Sequence, residues 1–439
     1  MTGRYKEYPE YKESDVEWLE NIPAHWSSKS LKFLCTYNDD VINETTDPET
    51  IIEYVDIGSV SAVEGISKTE KVAFGKSPSR ARRIVRNGDV IVSTVRTYLE
   101  AIAPITNPPE NMIVSTGFAV IRPNSKLDKG FAAYCLRAKG FIREVVARSV
   151  GISYPAINAT ELVGISVPYL PYEEQQKIAN FLDHETAKID TLIDKQEKLI
   201  ELLKEKRQAV ISHAVTKGLN PDAPMKDSGV EWLGEVPEHW DVIFIKHLSQ
   251  VKRGASPRPI DDPKYFDDNG EYAWTRIADV SSSGMYLTET TQRLSTLGSS
   301  LSVRLEAGEL FLSIAGTVGK PCITTAKACI HDGFVYFPQL RINNKYLYYI
   351  FDAGQAYLGL GKMGTQLNLN TDTVGGIKIG LPQENEIEEI IAYIEKKNAQ
   401  YSDLISKAVS SIDLMKERKT ALISAAVTGK IDVRDWSGH

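Results

Sequence analysis

The sequence lacks any long run of apolar residues, and this absence excludes a helical membrane protein. Apolar residues make up 42% of the 439-residue chain, but no segment approaches the roughly 18 consecutive apolar residues of a membrane span. The first 14 residues are polar and charged, unlike a signal peptide. We therefore expect a cytoplasmic protein without a membrane partner.

Cysteine and histidine are also scarce. The four cysteines (Cys35, Cys135, Cys322 and Cys329) have neither the spacing of zinc ligands nor that of a disulfide framework. We expect them to be reduced packing residues, and we expect no metal site. The seven histidines form no catalytic constellation. His331 and Asp332 are assigned no role, because no nucleophile is visible near them in the sequence.

A strong positive charge is missing as well, since the net charge is −7. Residues 27–165 carry 17 Lys and Arg against 15 Asp and Glu, and residues 241–380 carry 14 against 13, so these segments are +2 and +1. Such values are too small for a protein that binds phosphates by charge alone. They are compatible with a subunit that reads bases while partners contact the DNA backbone.

What the sequence does contain is an internal repeat. SDVEWL at residues 14–19 and PAHW at 23–26 return as SGVEWL at 228–233 and PEHW at 237–240. KEKR at 204–207 returns as KERK at 416–419. A chain duplicated in this way forms a pseudo-two-fold object, which suits a target with two separated half-sites. We expect His25 and His239 to pack in the aromatic segments that contain them.

Two long helices are the clearest secondary structure. The first is predicted from Tyr172 to Lys217 and the second from Gln383 to Thr428, each between a proline and a glycine. The predicted apolar stripe of the first helix contains Ile189, Leu192, Gln196, Leu199 and Leu203, widened by Ile193, Ile200 and Ile211. That of the second contains Ile390, Ile394, Tyr401, Leu404, Ala408, Met415 and Leu422. Each helix would be roughly 70 Å long, which indicates a mutual coiled coil rather than helices lying on their own domains.

The fold class follows from these elements: α+β, with two similar globular domains joined by two long helices that form an antiparallel coiled coil. The predicted segments are an opening segment (1–26), a first domain (27–168), a first spacer helix (171–218), a repeated opening segment (226–240), a second domain (241–380), a second spacer helix (382–430) and a tail (431–439). Within the domains, residues 83–93 and 303–313 share a strand–turn–strand pattern that predicts a hairpin in each.

These repeats make the chain resemble the specificity subunit of a type I restriction-modification system. The resemblance rests on the VEWL…PxHW segments, on the Leu-Pro pairs at 170–171 and 381–382 before the long helices, and on Val-Thr at the helix ends. It covers essentially the whole chain. One departure is that EQQ at 174–176 becomes ENE at 384–386, so the two partner-docking surfaces need not be equivalent.

The resemblance implies a non-catalytic DNA-recognition subunit. In that family each of two target-recognition domains reads one half of a bipartite double-stranded DNA sequence, and two methyltransferase subunits dock on the helices. Partner subunits methylate adenine with S-adenosylmethionine, and further restriction and translocase subunits use ATP. The chain itself is therefore expected to hold no S-adenosylmethionine, ATP or magnesium. Helices of roughly 70 Å would place the two recognition domains about two turns of the DNA duplex apart.

Candidate DNA-binding residues lie in polar loops of both domains. Cations, hydroxyls and amides are the groups that contact phosphates and base edges. In the first domain the candidates are Lys76, Ser77, Ser79, Arg80, Arg82, Arg83, Arg96, Tyr98, Ser153 and Tyr154. In the second domain they are Lys252, Arg253, Ser256, Arg258, Thr275, Arg276, Thr317, Lys320, Gln366 and Asn368.

Three patterns suggest an enzyme, and each is incomplete. NPPE at 107–110 lacks the aromatic residue on which a methyltransferase stacks a flipped base. GLGKMG at 359–364 lacks the strand and helix that flank a dinucleotide fingerprint, and GTVGKP at 316–321 lacks the hydroxyl residue of a phosphate loop. A stand-alone methyltransferase is thus disfavoured. The other alternative is a bivalent scaffold that binds protein or glycan, which the nearly neutral domains would suit. The half-site sequences, their gap, the stoichiometry and whether the complex cleaves stay open.

Overall fold

The computed structural model describes residues 5–61, 65–357, 362–363, 366–367 and 369–438. They form two compact units, one of residues 1–196 with 410–439 and the other of residues 197–409. Each unit contains one globular domain, the start of one long helix and the end of the other. Among the described residues, no helix is long and apolar enough to cross a membrane.

The two long helices run Tyr172–Lys217 and Glu384–Val427. The first has the predicted bounds, and the second begins and ends one residue inside its predicted span. Gly218 and Gly429 follow them with positive φ angles of 73° and 72°, the left-handed conformation in which helices commonly end.

Within each unit the start of one long helix packs beside the end of the other. In the first unit Lys419 Nζ lies 2.7 Å from both carboxylate oxygens of Asp190. In the second unit the two helices contribute to one buried cluster that contains Ile211, Val215, Ile387, Ile390 and Ile394. The helices therefore pair in antiparallel fashion, which confirms that part of the predicted fold class.

The predicted apolar stripes were partly wrong. Ile189 and Ile193 are buried, but Leu192 and Leu199 are exposed. The buried and half-buried positions 189, 193, 196, 200 and 203 alternate steps of four and three residues, which is the 3.5-residue repeat of a coiled coil rather than the 3.6-residue repeat of a lone helix. In the second helix Leu404 is exposed because it lies outside the 3.5-residue repeat. The adjacent Ile405 is half-buried and lies in the coiled-coil seam, the row of residues along which the two helices meet.

The first domain consists of two four-stranded sheets, here called sheet A and sheet B. Sheet A contains, in spatial order, Glu70–Ala73, Ile51–Val55, Met112–Ser115 and Ala81–Ile84, and its two central strands are parallel. Sheet B is antiparallel, in the order Ile102–Pro104, Val90–Ser93, Phe118–Pro123 and Cys35–Tyr37. A buried cluster takes Val55 and Val114 from sheet A and Ile91 and Val120 from sheet B, so the core lies between the sheets.

The second domain repeats this topology. Its sheet A runs Gln292–Leu294, Tyr272–Thr275, Ala328–Ile330 and Val303–Leu305, again with a central parallel pair. Its sheet B runs Lys252–Arg253, Phe334–Tyr336, Leu310–Ser313 and Pro321–Thr324, with Tyr286–Leu287 as a fifth, parallel edge strand. The equivalent pairings confirm the internal repeat.

The hairpins predicted at 83–93 and 303–313 do not form. Ala81–Ile84 is an edge strand of sheet A, whereas Val90–Ser93 lies inside sheet B between two other strands. The second domain separates Val303–Leu305 from Leu310–Ser313 in the same way. All four residues of Val90–Ser93 and all four of Leu310–Ser313 are buried. This pattern is typical of a central strand with both faces covered rather than of a half-exposed hairpin strand.

Short elements complete both units. The α-helices are Lys129–Cys135, Lys139–Ala147, Ala159–Gly164, Ile245–Leu248, Ile277–Ser282, Thr296–Ser300, Asn344–Asp352 and Thr371–Gly375. The remaining strand pairs are Tyr11–Glu13 with Asn21–Pro23, Ser27–Ser30 with Ser166–Tyr169, Val60–Ser61 with Gly65–Ile66, Met225–Asp227 with Glu235–Pro237, Asp241–Phe244 with Lys378–Leu381, and Lys362–Met363 with Gln366–Leu367. The 3₁₀ helices are Leu31–Phe33, Ile57–Ser59, Phe74–Lys76, Thr97–Leu99, Pro263–Tyr265 and Gln355–Tyr357. All four cysteines are buried and free, as predicted.

A hydrogen-bonded joint fixes the opening segment to the first turn of the first long helix. Trp26 is fully buried, and its Nε1 donates to Oε1 of Glu174 at 3.0 Å. His25 Nε2 lies 2.9 Å from Oε2 of the same carboxylate, and the Tyr8 hydroxyl donates to Oε1 at 2.7 Å. Burial and the carboxylate raise the pKa of Tyr8 well above its usual value, so this hydroxyl remains a donor.

The second unit repeats the joint. Trp240 Nε1 donates to Oε1 of Glu386 at 3.0 Å, and His239 Nε2 lies 2.8 Å from Oε2. Glu386, not Glu384, is therefore the equivalent of Glu174, so the EQQ-to-ENE comparison was misaligned by two residues. The two histidines were expected only to pack, but each one also contacts a carboxylate that the sequence did not reveal as its partner.

We expect Glu174→Ala to destabilise the protein more than Glu386→Ala. Glu174 has three polar neighbours and is almost fully buried, whereas Glu386 has two and is 23% exposed. Leaving buried donors without an acceptor costs about 1–3 kcal/mol each, so Glu174→Ala should lose roughly 3 kcal/mol. Urea unfolding of the purified chain measures this difference.

The matched control is Glu388→Ala, which removes an exposed carboxylate from the second long helix and should change stability by less than about 0.5 kcal/mol. Equal unfolding midpoints for Glu174→Ala and Glu388→Ala would contradict a stabilising joint.

Candidate nucleic-acid interface

Candidate loops of the first domain meet where the parallel strands of sheet A end. The strand Ile51–Val55 leads to Asp56, and Met112–Ser115 leads to Thr116. The backbone N–H of Thr116 donates to the carbonyl of Arg80 at 2.8 Å, and that of Thr94 donates to the carbonyl of Gly117 at 2.8 Å. Four chain segments therefore converge at one end of the domain.

The second domain brings its loops together at the same end. Behind the strand Ala328–Ile330, the carbonyl of Ile330 accepts the N–H of Ala255 at 3.1 Å, and the carbonyl of Gly333 accepts the N–H of Ile314 at 2.8 Å. The loop after sheet B also begins alike in both domains, because Ser93 and Ser313 each donate to the carbonyl two residues later, at 2.6 and 2.8 Å.

An arginine stacked on a tyrosine is an exposed polar feature of the first domain's loops. The guanidinium carbon of Arg96 lies 5.1 Å from the ring centre of Tyr154, and Arg96 has a left-handed backbone (φ 51°). Tyr98 and Tyr154 are 54% and 67% exposed, and Ser153 between the loops is exposed as well. The structure thus brings together two pairs of candidates, Arg96 with Tyr98 and Ser153 with Tyr154, that lie more than 50 residues apart in the sequence.

The loops that carry these residues are held by backbone and hydroxyl contacts. The N–H of Ile157 donates to the carbonyl of Thr94 at 2.9 Å, and the hydroxyl of Thr97 donates to that of Ser149 at 2.7 Å. Val95 and Ala156 form an antiparallel bridge. These contacts fix the spacing between Arg96 and Tyr154, so their side chains are presented as one surface.

The cations between Lys76 and Arg83 do not form one cluster. Lys76 follows the strand Glu70–Ala73, whose last residue pairs with Ile51, so it lies at the opposite end of sheet A from Arg80. Arg80 is exposed and lies 3.4 Å from Asp56. The segment crosses the domain and therefore spreads its charges.

The other candidates in this segment have structural contacts. Ser77 Oγ donates to the carbonyl of Phe74 at 2.8 Å, and the Arg82 guanidinium lies 5.1 Å from the Phe74 ring. Arg83 is half-buried, its Nε lacks a hydrogen-bond partner among the described residues, and burial lowers its pKa. Ser79 is exposed beside Arg80. Ser79 and Arg80 are thus the exposed members of this group at the end of sheet A where the loops meet.

In the second domain one carboxylate organises a basic loop. Ser256 Oγ donates to Oδ1 of Asp332 at 3.2 Å, and Arg258 Nη2 donates to Oδ2 at 3.0 Å. Arg253 Nε donates to the backbone carbonyl of Asp332. Lys252 is exposed on the short strand that it shares with Arg253. Asp332, which was assigned no role from the sequence, therefore positions three of the candidate residues.

His331, which precedes Asp332, holds the backbone of this loop in place. Burial lowers the pKa of His331, so its ring favours the neutral form, and its Nδ1 accepts the N–H of Gly333 at 2.8 Å. The ring also lies 4.5 Å from that of Phe334. These contacts fix the backbone on either side of Asp332.

Three further candidates differ in accessibility. Thr275 is fully buried in its strand, so its prediction as a DNA contact is wrong for this conformation. Arg276 is exposed and donates to Gln292. A cleft of about 570 Å³ adjoins it, lined by Ile260, Asp261, Pro263, Phe266, Trp274, Arg276 and Gln292.

The loop at 314–320 is braced by its own lysine. Lys320 Nζ donates to the carbonyls of Ser281 and Ser283 at 2.9 and 2.7 Å. Thr317 is exposed and its hydroxyl contacts that of Ser281. Lys320 is therefore a loop brace, whereas Thr317 remains accessible.

The remaining two candidates lie in or beside a short strand pair. Gln366 belongs to the strand Gln366–Leu367, which pairs with Lys362–Met363. Asn368 lies outside the described residues, and so does most of the GLGKMG motif. Their proposed contact with adenine stays a prediction.

Comparison with known proteins identifies the family. The model of the type I restriction modification DNA specificity domain matches residues 25–202 and again residues 237–422. The chain belongs to this family. It is a specificity subunit of a type I restriction system, with two recognition domains.

Relatives of this specificity subunit come from distant organisms. It is 25% identical over 456 residues to the putative type I restriction enzyme MjaX specificity subunit of Methanocaldococcus jannaschii, covering 97% of this chain and 98% of the relative. It is 24% identical over 385 residues to the HindI specificity subunit of Haemophilus influenzae, covering 73% of this chain and 81% of the relative.

Solved structures share the fold of this specificity subunit. A chain from a study of complex assembly in a type I restriction-modification system has a TM-score of 0.70 at 22% identity, covering 92% of this chain and 98% of its own length. The HsdS subunit of Thermoanaerobacter tengcongensis has a TM-score of 0.53 at 22% identity, covering 93% and 98%.

Two functional features were not predicted from the sequence: the role of Asp332 and the stacking of Arg96 on Tyr154. The first of them had a signal in the sequence. Asp332 directly follows the buried strand Ala328–Ile330 and its histidine, as Thr116 follows the parallel strand of the first domain. Ligands commonly bind just beyond the carboxyl ends of parallel strands, so a polar residue at this position is a signal. The stacking of Arg96 on Tyr154 had no sequence signal, because it depends on tertiary contacts between distant loops.

We expect Asp332→Ala to lower the DNA selectivity of the specificity subunit in complex with its methyltransferase. The substitution frees Ser256 and Arg258, and it also removes a negative charge that repels phosphates. Affinity for the target should fall roughly tenfold, the equivalent of about 1.4 kcal/mol, whereas affinity for non-specific DNA should rise. Competition binding measures both values.

Asp268→Ala is the matched control, since Asp268 is exposed on the turn before the strand Tyr272–Thr275, at the opposite end of the domain. An unchanged ratio of specific to non-specific affinity in Asp332→Ala would show that this carboxylate does not position the loop.

Proposed function

We propose that this specificity subunit reads a bipartite DNA duplex, with one half-site for each domain, while its long helices dock two methyltransferase subunits. The supporting observation is that the two domains share one arrangement of strands but present different side chains from the same loops. A common scaffold with different loops suits two different half-site sequences.

Arginine side chains of both domains would form hydrogen bonds with base edges, and one of these arginines is stacked on a tyrosine. Arg96 is held against Tyr154 with its guanidinium exposed, and arginine pairs bidentately with the O6 and N7 atoms of guanine. In the second domain Arg258 and Arg276 are exposed at the equivalent end, with Thr317 beside them. Each correct contact would contribute discrimination of about 1–3 kcal/mol against a wrong base pair.

Partner subunits would supply much of the phosphate contact, because the domains carry net charges of only +2 and +1. Exposed apolar side chains on the long helices provide the docking surface for the methyltransferases. They lie outside the coiled-coil seam and comprise Leu192, Leu199, Leu202, Leu404, Val409 and Leu414. Burying one such side chain stabilises an interface by about 1.5–3 kcal/mol.

The chemistry of the complex would reside in the partners. We propose that S-adenosylmethionine and the methylated adenine bind to the methyltransferase subunits, and that ATP and magnesium bind to restriction and translocase subunits. The GTVGKP segment of this chain does not offer a phosphate loop, because the Lys320 ammonium is occupied by two backbone carbonyls.

A selection experiment tests the bipartite target. The chain is co-expressed with its methyltransferase, and the purified complex selects duplexes from a random library in competition with non-specific DNA. We expect enrichment of two short motifs at one fixed gap. A stable complex that enriches no motif would overturn the proposal in favour of a scaffold.

Leu414→Glu tests the docking surface. Leu414 is 65% exposed on the second long helix, so a charge there should leave the fold intact but weaken methyltransferase binding at least tenfold, the equivalent of about 1.4 kcal/mol. Analytical ultracentrifugation of the reconstituted complex measures the change.

Leu297→Glu is the control, because Leu297 is 49% exposed on a short helix of the second domain. The helices would not be the docking surface if both variants bound the methyltransferase equally well.

A further inference from the structure

The loop 151–155 of the first domain exposes an apolar tip. Ile152 is fully exposed, at 104% of the area of a free residue, and Val150 is 79% exposed. Glycine, serine and proline make up the rest of the turn apart from Tyr154. Leaving aliphatic side chains in water is unfavourable, so a partner that covers Ile152 and Val150 would gain free energy from their burial.

The tip is held by a rigid frame. Val150 and Ala156 exchange two backbone hydrogen bonds, of 2.8 and 3.0 Å, which close the loop at its base. Ala156 also bridges to Val95, and the N–H of Thr97 donates to the carbonyl of Pro155 at 3.4 Å. The loop is therefore clamped on both sides to the segment that carries Arg96, and Ile152 projects from a defined base.

The surroundings of the tip match a nucleic acid rather than a protein core. Arg96 stacks on Tyr154 two residues from Ile152, and Tyr98 is exposed on the adjoining turn. Arg80 and Thr94 lie on the same end of the domain through the hydrogen bonds of Thr116 and Gly117. An aliphatic tip bordered by a cation and aromatic rings can contact a base stack and a phosphate together.

We propose that Ile152 is an apolar wedge that inserts between two base pairs of the half-site read by the first domain. Proteins that bend DNA commonly insert isoleucine, leucine, methionine, phenylalanine or proline in this way, and the bend improves contact between the duplex and the flanking side chains. Here the flanking Arg96 and Tyr98 would be brought against the bases next to the opened step. Flexible pyrimidine–purine steps open most easily, so such a step is expected at this position.

This inference rests on the proposed function, and it adds a residue that neither reads a base edge nor binds phosphate. The half-site read by the first domain is thus deformed through Ile152. Selectivity at the wedge step would then come from the ease of unstacking rather than from hydrogen bonds.

The test uses the complex of the full chain with its methyltransferase and the duplex that it enriches from the random library. 2-Aminopurine replaces one base at a time along both half-sites, since its fluorescence rises when stacking is lost. Apart from the adenine that the methyltransferase flips out of the stack in each half-site, we expect one step in the half-site read by the first domain to brighten with the native complex. Ile152→Ala should abolish this signal and weaken target binding roughly tenfold, whereas Ile152→Phe should retain the signal.

Ile51→Ala is the matched control. Ile51 is an exposed isoleucine of the same domain, at the opposite end of the strand that leads to Asp56, and its replacement should change neither the fluorescence nor the affinity. Thermal unfolding of each variant verifies that folding is retained.

Three outcomes separate the hypotheses. If the native complex enriches a bipartite target but Ile152→Ala binds it with unchanged affinity and fluorescence, the wedge is overturned and the proposed function stands. If Ile152→Ala instead weakens the methyltransferase complex without DNA, the tip is a protein contact and the wedge is again overturned. If no target is enriched, the proposed function itself fails.

Discussion

The structure depends on a carboxylate at the start of each long helix. Glu174 and Glu386 accept hydrogen bonds from the indoles of Trp26 and Trp240, and each lies within 2.9 Å of a histidine Nε2. Both tryptophans are fully buried, so the charged group and the largest apolar side chain of the segment are held together. The direction in which each long helix leaves its domain is thereby fixed, and the coiled-coil seam continues from that point.

The loops are independent of this joint. In both domains they follow the carboxyl ends of the parallel strands of sheet A, and they are tied together by backbone hydrogen bonds such as that of Thr94 with Gly117 and that of Ile314 with Gly333. Because the backbone is held by its own groups, the outward side chains are free to vary. The same backbone arrangement carries Arg96 with Tyr154 in the first domain and Asp332 with Arg258 in the second.

The sequence predicted the large features because they repeat or have a strong period. The internal repeat, the two-domain α+β class and the helix from Tyr172 to Lys217 are all confirmed. Finer features failed for identifiable reasons. The periodicity of the first helix did not separate a 3.5-residue seam from a 3.6-residue stripe, so Leu192 was placed in the core although it is exposed. The strands around Asn87 look like a hairpin because sequence does not show which sheet receives each strand.

The sequence indicated which types of residue could contact DNA, but it did not indicate where in the fold each candidate lies. Thr275 has the side chain of a DNA contact but is buried in a strand whose four residues are all buried. The positive charges from Lys76 to Arg83 are spread over the domain by a segment that crosses it. Asp332 was assigned no role because no nucleophile is visible near it in the sequence. It is nevertheless the residue that holds a basic loop in place.

The duplicated joint has an evolutionary consequence. Since the hydrogen-bond partners of the Glu174 and Glu386 carboxylates among the described residues lie in the opening segments, recombination could exchange one whole domain while both helix starts keep their tryptophan and histidine partners. Inheritance of the framework and diversification of the loops would then proceed on separate stretches of the gene. A population could acquire a new combination of half-sites in a single crossover, without passing through an unstable intermediate.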